Sequence, residues 1–441
     1  MNNNYFSDDR RSFLKKLAGG IAATAALPWL TRDAIGKESA ANFSHRIDNM
    51  KNSGAAYDER FWSFVQKQFP LVEGLIYMNN GGLGPSPFPV IDAVYSAMLE
   101  LEGISETGHQ LVEAVSKKAA KFFNCDFDEV AFTRNATEGM NIIARGLSLK
   151  KGDEVLMSTH EHPGGGIPWL ALANDTGIRV RLFEPGSSRE ENLKIIQSNI
   201  SSRTKVLAIS HITCTNGLKF PVEEIAKICR SRGIFYVLDG AQVPGMIPVD
   251  FKKLGCDFYT SSGHKWMCGP KGTGVLYVRK EMKEYWRPTQ IGAYSEKVYI
   301  LEELKLEVGT SARNVEYGTR NTPEILGIGA ALDFLDAIGM EHVAERGKSL
   351  ASYLKEQLQS INKVQVITPM DPDSSASIVS FKILDQQKSH GDLTSQFKQD
   401  YNIRLRPVGE HGLNAIRASL HIYNSFDQVD RLIEAVKAIA A

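Results

Sequence analysis

The chain has 441 residues, which is enough for two or three domains of ordinary size. Its composition, 43% hydrophobic and 23% charged, is that of a soluble protein with a substantial core. The 51 basic residues balance the 51 acidic ones, which argues against a nucleic-acid partner or a charged membrane-binding surface. Five cysteines without CxxC spacing argue against a disulfide framework or a zinc site, so we expect buried thiols and no metal.

The amino-terminal segment, residues 1–36, has the pattern of an export signal followed by a linker. Arg10 and Arg11 precede a weakly apolar run over residues 17–30. That run is shorter than the roughly 20 apolar residues of a membrane-spanning helix, and it fits the hydrophobic part of a signal peptide. The segment resembles the twin-arginine signal of bacteria, although Asp9 stands where that signal more often has Ser or Thr.

This resemblance implies export through the twin-arginine translocase and a periplasmic location. Cleavage is expected after Ala25 or after Gly36, and the pattern does not choose between them. The route carries proteins that are already folded. The alternative is a basic amphipathic helix at the start of a cytosolic enzyme.

Beyond residue 57, short apolar strands alternate with helices. This alternation predicts an α/β fold with a mostly parallel sheet, covered by helices on both faces, in a large domain over residues 57–322. In such sheets, ligands bind beyond the carboxyl ends of the strands. The predicted strands are 130–132, 154–158, 179–183, 205–210, 235–238 and 275–278, and the predicted helices are 57–69, 89–102, 139–147, 168–174, 190–198 and 222–232.

A second region follows from residue 323 to the end of the chain. Its pattern predicts two long helices, two strands and a final helix, which together would form a smaller carboxy-terminal α/β domain. These elements are expected at 323–338, 342–361, 377–382, 416–419 and from residue 426 onward.

The most specific segment is a glycine-rich turn, residues 261–274, which contains Lys265 between two predicted strands. Such a turn places the lysine at a cleft, where loss of hydration lowers the pKa of an amine, as a Schiff-base lysine requires. Taken alone, the turn also fits a lysine that faces solvent or a phosphate.

Asp239 directly follows the apolar strand 235–238. A carboxylate at this point would be buried, which is costly unless it meets a cation. A protonated pyridinium nitrogen is such a cation, and the pairing would keep the ring able to accept electrons. An aspartate that caps a helix is the alternative interpretation.

Three further polar segments complete a predicted cofactor cradle. Residues 135–137 open a helix after a strand, and the amide groups at a helix N-terminus bind phosphate. His162 follows another strand and offers an imidazole that could stack on an aromatic ring. Residues 316–323 form a polar turn before a helix.

These segments, in this order, resemble the class-V aminotransferase family, which includes cysteine desulfurases and isopenicillin N epimerase-like proteins. The resemblance covers nearly the whole chain after residue 57. It implies the PLP-dependent transferase fold of type I (the aspartate-aminotransferase superfold) and pyridoxal 5′-phosphate (PLP) as cofactor. It also implies an amino-acid or peptide substrate and a homodimer with shared active sites.

The resemblance assigns roles to individual residues. Lys265 would form the aldimine with PLP, and Asp239 would pair with the pyridine nitrogen. Gln242 would bond the 3-oxygen of the ring, and His162 would stack on it. The phosphate would be held by residues of both subunits, namely Ala136, Thr137, Ser262 and His264 of one and Gly318 and Thr319 of its neighbour. In the substrate pocket, Arg417 would bind the α-carboxylate, in a bidentate geometry that suits a guanidinium. Asn80 would border that pocket.

The reaction subclass is not fixed by these residues. Desulfurases use a nucleophilic cysteine on a loop shortly before the carboxylate-binding arginine, and the corresponding stretch here, residues 406–414, contains no cysteine. We therefore expect Lys265 to remove a Cα proton from an amino acid or a peptide-linked amino group. Transamination, epimerisation or elimination could follow, and the export signal favours the periplasmic members that tailor siderophores. A C–S lyase is the alternative reaction.

Two other protein classes share part of this pattern. One is a non-catalytic relative that binds PLP or peptide, against which stands the presence of Lys265, Asp239 and Arg417 together. The other is a periplasmic solute-binding protein, which would share the export signal and the α/β alternation. Such a protein has no need for a Gly-His-Lys turn after a buried aspartate.

Overall fold

The structure is a computed structural model that describes residues 40–52, 57–385 and 388–441. The predicted export signal lies outside these ranges. The α-helices are α1 (Ala40–Asn52), α2 (Glu59–Gln66), α3 (Phe88–Ile104), α4 (His109–Phe122), α5 (Ala136–Gly146), α6 (Pro163–Thr176), α7 (Arg189–Asn199), α8 (Val222–Arg232), α9 (Phe251–Leu254), α10 (Thr322–Ile338), α11 (Met340–Gln359), α12 (His390–Tyr401) and α13 (Phe426–Ala440). In the part of the chain that the structure describes, none of these helices is both long and apolar enough to cross a membrane.

The strands form one large sheet and several smaller ones. They are β1 (Ile76–Tyr77), β2 (Val130–Thr133), β3 (Glu154–Ser158), β4 (Arg179–Phe183), β5 (Thr204–Ser210), β6 (Phe235–Asp239), β7 (Phe258–Ser262), β8 (Gly274–Val278), β9 (Glu296–Ile300), β10 (Lys305–Val308), β11 (Val364–Val366), β12 (Ile378–Ile383), β13 (Ile403–Arg404), β14 (Arg406–Val408) and β15 (Ala415–Ser419).

The central sheet has seven strands in the order β2-β8-β7-β6-β5-β3-β4. Strands β3 to β7 run parallel, whereas β8 is antiparallel to both of its neighbours. Alternate residues of each strand enter different apolar clusters. Leu238 of β6 packs into one cluster, and Val237 packs into another. Because successive strand residues point to opposite faces, the sheet carries a core on each side, which confirms the predicted α/β class.

The carboxy-terminal region has its own sheet and core. Its four strands are antiparallel in the order β11-β12-β15-β14. Residues of α11, α12 and α13 join these strands in a separate apolar cluster that includes Leu354, Phe397 and Leu432. The short strand β1 pairs in parallel with β13, so the chain just after β1 is held against this region.

Some elements differ from their sequence-based predictions. The helix predicted from residue 168 begins five residues earlier as α6, because Pro163 fits the first helical turn and His162 caps it by accepting a hydrogen bond from Gly164 N. The hairpin β9–β10 was not predicted. It lies outside the large sheet, and its apolar side chains, such as Leu304 at 90% exposure, are turned to the surface. Helices α4 and α12 were also missed.

Candidate functional site

Four chain segments meet at one edge of the large sheet. Strands β3, β5 and β6 are neighbours, and they end at Ser158, Ser210 and Asp239. Lys265 lies in the turn that joins β7 to β8, beside the end of β6. Because these strands end at the same edge, their last residues and the turn surround one cleft.

Lys265 is half-buried in this cleft. Burial lowers the pKa of its ammonium group, and the positive charges of Arg417 and Arg406 lower it further, while Asp239 and Cys214 act in the opposite direction. The turn around it is tightly packed. A side chain at Gly84 would come within 2.2 Å of the Lys265 carbonyl oxygen, so the loop over residues 79–85 lies directly on the lysine.

Asp239 is 7% exposed at the end of β6. Its Oδ1 accepts a hydrogen bond of 2.8 Å from Ala241 N, which fixes the carboxylate in the turn. The other oxygen faces helix α6, where a Cβ at Gly165 would lie 3.0 Å from Oδ2. Glycine at 165 therefore lets the start of α6 approach the carboxylate.

His162 stands at the start of α6. Its Nδ1 accepts from Gly164 N at 3.0 Å, so the ring proton is on Nε2 when the imidazole is neutral. Burial and the nearby charge of Lys265 lower the pKa of His162, which favours that neutral form. Thr137 lies close by, since a Cβ at Gly164 would meet Thr137 Oγ1 at 2.4 Å.

The predicted phosphate-binding residues come together at the start of α5. Asn135 caps this helix, and Ala136 N points to Ser262 Oγ at 3.4 Å. Helix N-termini leave amide groups without intrahelical partners, and these bind anions. His264 lies in the adjoining turn, and within the described residues its buried Nδ1 has no hydrogen-bond partner.

Gln242 is buried beneath the loop over residues 79–85. Its Oε1 accepts from Trp266 Nε1 at 2.8 Å, and its Nε2 donates to Gly81 O at 2.9 Å. These two bonds fix the amide orientation and leave the second Nε2 hydrogen for a ligand.

Arg417 is 1% exposed in β15. Nη1 donates to Cys214 O at 2.6 Å and Nη2 donates to Asn79 Oδ1 at 3.2 Å, while the buried Nε has no partner within the described residues. In this part of the chain no carboxylate pairs with the guanidinium. Burial and the charge of Arg406 lower the pKa of Arg417 to about 10.

Asn80 is fully buried beside this arginine. Its Oδ1 accepts from Tyr423 OH at 3.0 Å, and its Nδ2 has no partner among the described residues. The direct contact with Arg417 comes from the preceding residue, Asn79, which the sequence interpretation passed over. The doubled asparagine was the available signal, but only the backbone path decides which side chain turns to the arginine.

Gly318 and Thr319 do not join this cleft in the single chain. They lie beyond the edge strand β2, where Arg320 Nη2 donates to Phe132 O at 2.6 Å. Thr319 is exposed and lines a surface cavity of about 470 Å³ together with Arg134. Their predicted role toward a neighbouring subunit's phosphate stays a prediction.

Three more residues of the site were not singled out from the sequence. Glu161 lies behind Asp239, Cys214 lies next to Arg417, and Arg406 pairs with Glu410. Glu161 adjoins His162, and Arg406 lies in the cysteine-free loop before Arg417, so each had a signal in sequence. Cys214 had none, because its loop acquires meaning only when β15 packs against it.

The amino-acid sequence is similar to those of known enzymes. The profile of the aminotransferase class-V family matches residues 93–432. A cysteine desulfurase of Cronobacter sakazakii is 30% identical over 401 residues, covering 84% of this chain and 96% of the relative. Isopenicillin N epimerase of Amycolatopsis lactamdurans is 29% identical over 396 residues, covering 86% and 98%.

Solved structures of the cystine C–S lyase C-DES resemble this chain in fold. One is a complex with its reaction product, cysteine persulfide, and it matches at a TM-score of 0.77 and 26% identity, covering 84% of this chain and 99% of that chain. Another, a C-DES variant, has glycine covalently linked to its PLP cofactor and matches at the same TM-score. These matches confirm the predicted fold type I.

The residues of the cleft fit PLP as the cofactor. Its phosphate suits the start of α5, and its ring nitrogen suits Asp239. Buried polar atoms usually have partners, and His264 Nδ1, which has none among the described residues, is available to a ligand. Gly165 keeps the space beside Asp239 free of a side chain.

Proposed function

Because the chain belongs to the class-V aminotransferase family and is a PLP-dependent enzyme, we propose that it acts on the amino group of an amino acid or of a peptide-linked amino acid. We place it among the aminotransferase-like or epimerase-like members. PLP, when bound, acts as an electron sink that weakens the bonds at the substrate Cα.

The observation that carries this proposal is the buried guanidinium of Arg417. An uncompensated buried charge is costly, so a chain that retains one has a use for it. Two of its nitrogens are fixed by Cys214 O and Asn79 Oδ1, and Nε stays unpaired within the described residues. A substrate carboxylate is the complementary anion, and guanidinium binds it by charge-assisted hydrogen bonds.

Lys265 is the group placed to move a proton at Cα. Burial lowers the pKa of its amine, which increases the neutral fraction that can accept a proton near neutral pH. Arg417 holds the substrate from the other side of the cleft and its charge lowers the same pKa. The side chains therefore combine substrate binding with activation of the base.

The loop over residues 406–414 favours this chemistry over sulfur transfer to a loop cysteine. It carries the Arg406–Glu410 ion pair, and its His411 ring stacks on His160 at a centroid distance of 5.7 Å. Cys214, whose carbonyl oxygen accepts from Arg417, carries a thiol in this region, and burial raises the pKa of that thiol. A protonated, enclosed thiol is a poor nucleophile.

A C–S lyase is the second candidate, and one observation favours it. The chain matches C-DES, a cystine C–S lyase, over 84% of its length. Such a reaction needs no cysteine of the protein as nucleophile, so the loop that argues against a desulfurase leaves this reaction open.

The experiment that tests both candidates is product analysis with the purified, PLP-loaded protein. It is incubated in deuterated water with L-amino acids, their D-enantiomers and cystine. Deuterium at Cα with change of configuration, or a 2-oxo acid, supports the proposal. Sulfane sulfur and pyruvate from cystine alone would replace it with the lyase. Lys265→Ala is the control, and product formation by this variant would contradict both.

We also propose that the enzyme is exported as a folded homodimer with shared sites. The basis is the pattern of residues 1–36 and the surface position of Gly318 and Thr319 away from their own Lys265. Mixing an inactive Lys265→Ala chain with an inactive Thr319→Glu chain should restore part of the activity. In a monomeric enzyme the mixture would stay inactive.

A further inference from the structure

A second carboxyl group lies behind Asp239, and the reaction proposed above does not use it. This is Glu161, half-buried at the turn between β3 and α6. Its Oε1 accepts from Ser158 Oγ and, at 3.1 Å, from Ser210 N, and its Oε2 is 2.6 Å from Ser210 Oγ. These partners are neutral dipoles, so they supply no compensating positive charge.

Glu161 and Asp239 share one small space. Ser210 is the cross-strand neighbour of Asp239 in the parallel pair β5–β6. A Cβ at Gly165 would lie 3.0 Å from Asp239 Oδ2 and 4.0 Å from Glu161 Oε2. Both side chains border this space, so a negative charge on Asp239 disfavours a second negative charge on Glu161.

A comparison with a carboxyl group at the other end of β3 shows what a neighbouring cation changes. Glu154, at the start of β3, also accepts from Thr204 Oγ1 and Ser201 Oγ, but it has in addition Arg181 at 3.1 Å. Burial acts to raise the pKa of Glu154, and these hydrogen bonds together with Arg181 outweigh it and lower the pKa. At Glu161 the charged neighbour is an anion instead.

Among the residues that the structure describes, the other charged and titratable groups nearby do not supply a cation to Glu161. Asp239 faces Glu161 from β6, while His160 and His162 flank it along the chain. Burial lowers the pKa of both imidazoles, which favours their neutral forms. Lys265, from the turn after β7, interacts with the other two groups: its charge lowers the pKa of His162, and the charge of Asp239 raises the pKa of Lys265. Burial raises the pKa of Glu161 to about 7, and the charge of Asp239 contributes in the same direction.

We propose that Glu161 is a proton-holding residue behind Asp239, which keeps the negative charge on Asp239 alone and releases its proton to solvent when a cationic cofactor ring binds. Asp239 then meets the ring nitrogen as a single anion, and ionised Glu161 adds a second negative charge once the ring supplies a positive one. Glu161 acts through Asp239, so it is a positioning residue and not a catalytic one.

The first test uses the apo protein and its stability against pH. A carboxyl whose pKa is about 7 in the folded chain and 4.5 in the unfolded chain makes the folded chain bind more protons between these values. Stability is then lost as the pH rises through this window. Relative to Glu161→Gln, the wild-type folding equilibrium constant should fall by up to about tenfold per pH unit there and then level off.

Glutamine is the matched variant because it can accept from Ser210 N and donate to Ser210 Oγ, as a protonated glutamic acid does. Asp239→Asn removes the neighbouring charge, so it should move the Glu161 midpoint to lower pH. Parallel stability profiles of wild type and Glu161→Gln would overturn the proposal. An unchanged midpoint in Asp239→Asn would overturn its link to Asp239.

Two measurements keep the test independent of how well a variant folds. Infrared titration of the wild-type apo protein should show a protonated carboxyl band that disappears with a midpoint near 7. Calorimetry with PLP, in buffers of different ionisation enthalpy, should show more protons released on binding by wild type than by Glu161→Gln. Absence of the band between pH 5 and 6, or equal proton release, would contradict the proposal.

Discussion

Arg406 and Arg417 lie directly opposite each other on the antiparallel strands β14 and β15, yet only the charge of Arg406 is paired with a carboxylate of the described residues. Like charges at opposed strand positions are destabilising. Glu410, four residues further along the chain, pairs with Arg406 and compensates its positive charge. Arg417 receives no carboxylate from the described part of the chain, which leaves its guanidinium for a substrate.

Arg417→Ala is expected to raise the KM for an α-amino acid substrate by at least about thirtyfold. A desolvated charge pair loses roughly 2–5 kcal/mol when one partner is truncated, and about 1.4 kcal/mol corresponds to tenfold. Arg417→Lys should recover little, because an ammonium group lacks the planar fork. PLP content should be unchanged. Steady-state kinetics with Arg404→Ala, an exposed arginine nearby, as control would check this. Unaltered kinetics in both Arg417 variants would remove the residue from the site.

The same arginine should lower the stability of the apo protein. Its pKa in the folded chain is about 10, below the usual 12.5, so at neutral pH its charge opposes folding. Because the pKa of this base is lower in the folded chain than in the unfolded chain, its charge reduces the free energy of unfolding. This reduction is complete below about pH 10 and diminishes only as the pH rises above 10. In Arg417→Met, Cys214 O and Asn79 Oδ1 lose their donor, which offsets part of the gain. We therefore expect this variant to raise the free energy of unfolding by about 1–3 kcal/mol. Urea titration of the apo forms at pH 7 would measure it, and a less stable Met variant would contradict the argument.

Lys265→Ala should abolish the borohydride-reducible linkage between PLP and the chain. The apo variant should fold as well as wild type, because burial lowers the pKa of the Lys265 amine and its removal relieves that cost. Visible absorption, followed by mass spectrometry of the reduced peptides, would locate the linkage. Lys271→Ala, an exposed lysine in the same turn, is the control and should retain it. A reducible linkage that persists on another lysine in Lys265→Ala would contradict the assignment.

Replacement of Arg10 and Arg11 together by lysine should leave the precursor in the cytoplasm. The double variant keeps both positive charges, so it tests the arginine pair and not the net charge of the signal. Cell fractionation and sequencing of the mature amino terminus would check it, and the charge-conserving pair Lys15→Arg with Lys16→Arg is the control. If the variant with both Arg10→Lys and Arg11→Lys is still processed and periplasmic, the protein uses another export route.

The sequence by itself determined the strand–helix alternation, the lysine turn and the aspartate at the end of β6. These are local patterns, since a buried parallel strand is continuously apolar and a turn needs glycine wherever the chain sits. It also indicated Arg417, because its segment resembles that of a known family.

Only the tertiary structure decided which side chains share a space. Asn79 reaches Arg417 because β1 pairs with β13 and brings the loop after it onto β15. Glu161 lies near Asp239 because Ser210, at the end of β5, bonds Glu161 and is the cross-strand neighbour of Asp239, and because Gly165 lets α6 come close. Contacts between residues far apart in sequence depend on strand order and packing distance, and no local pattern in a single sequence encodes either.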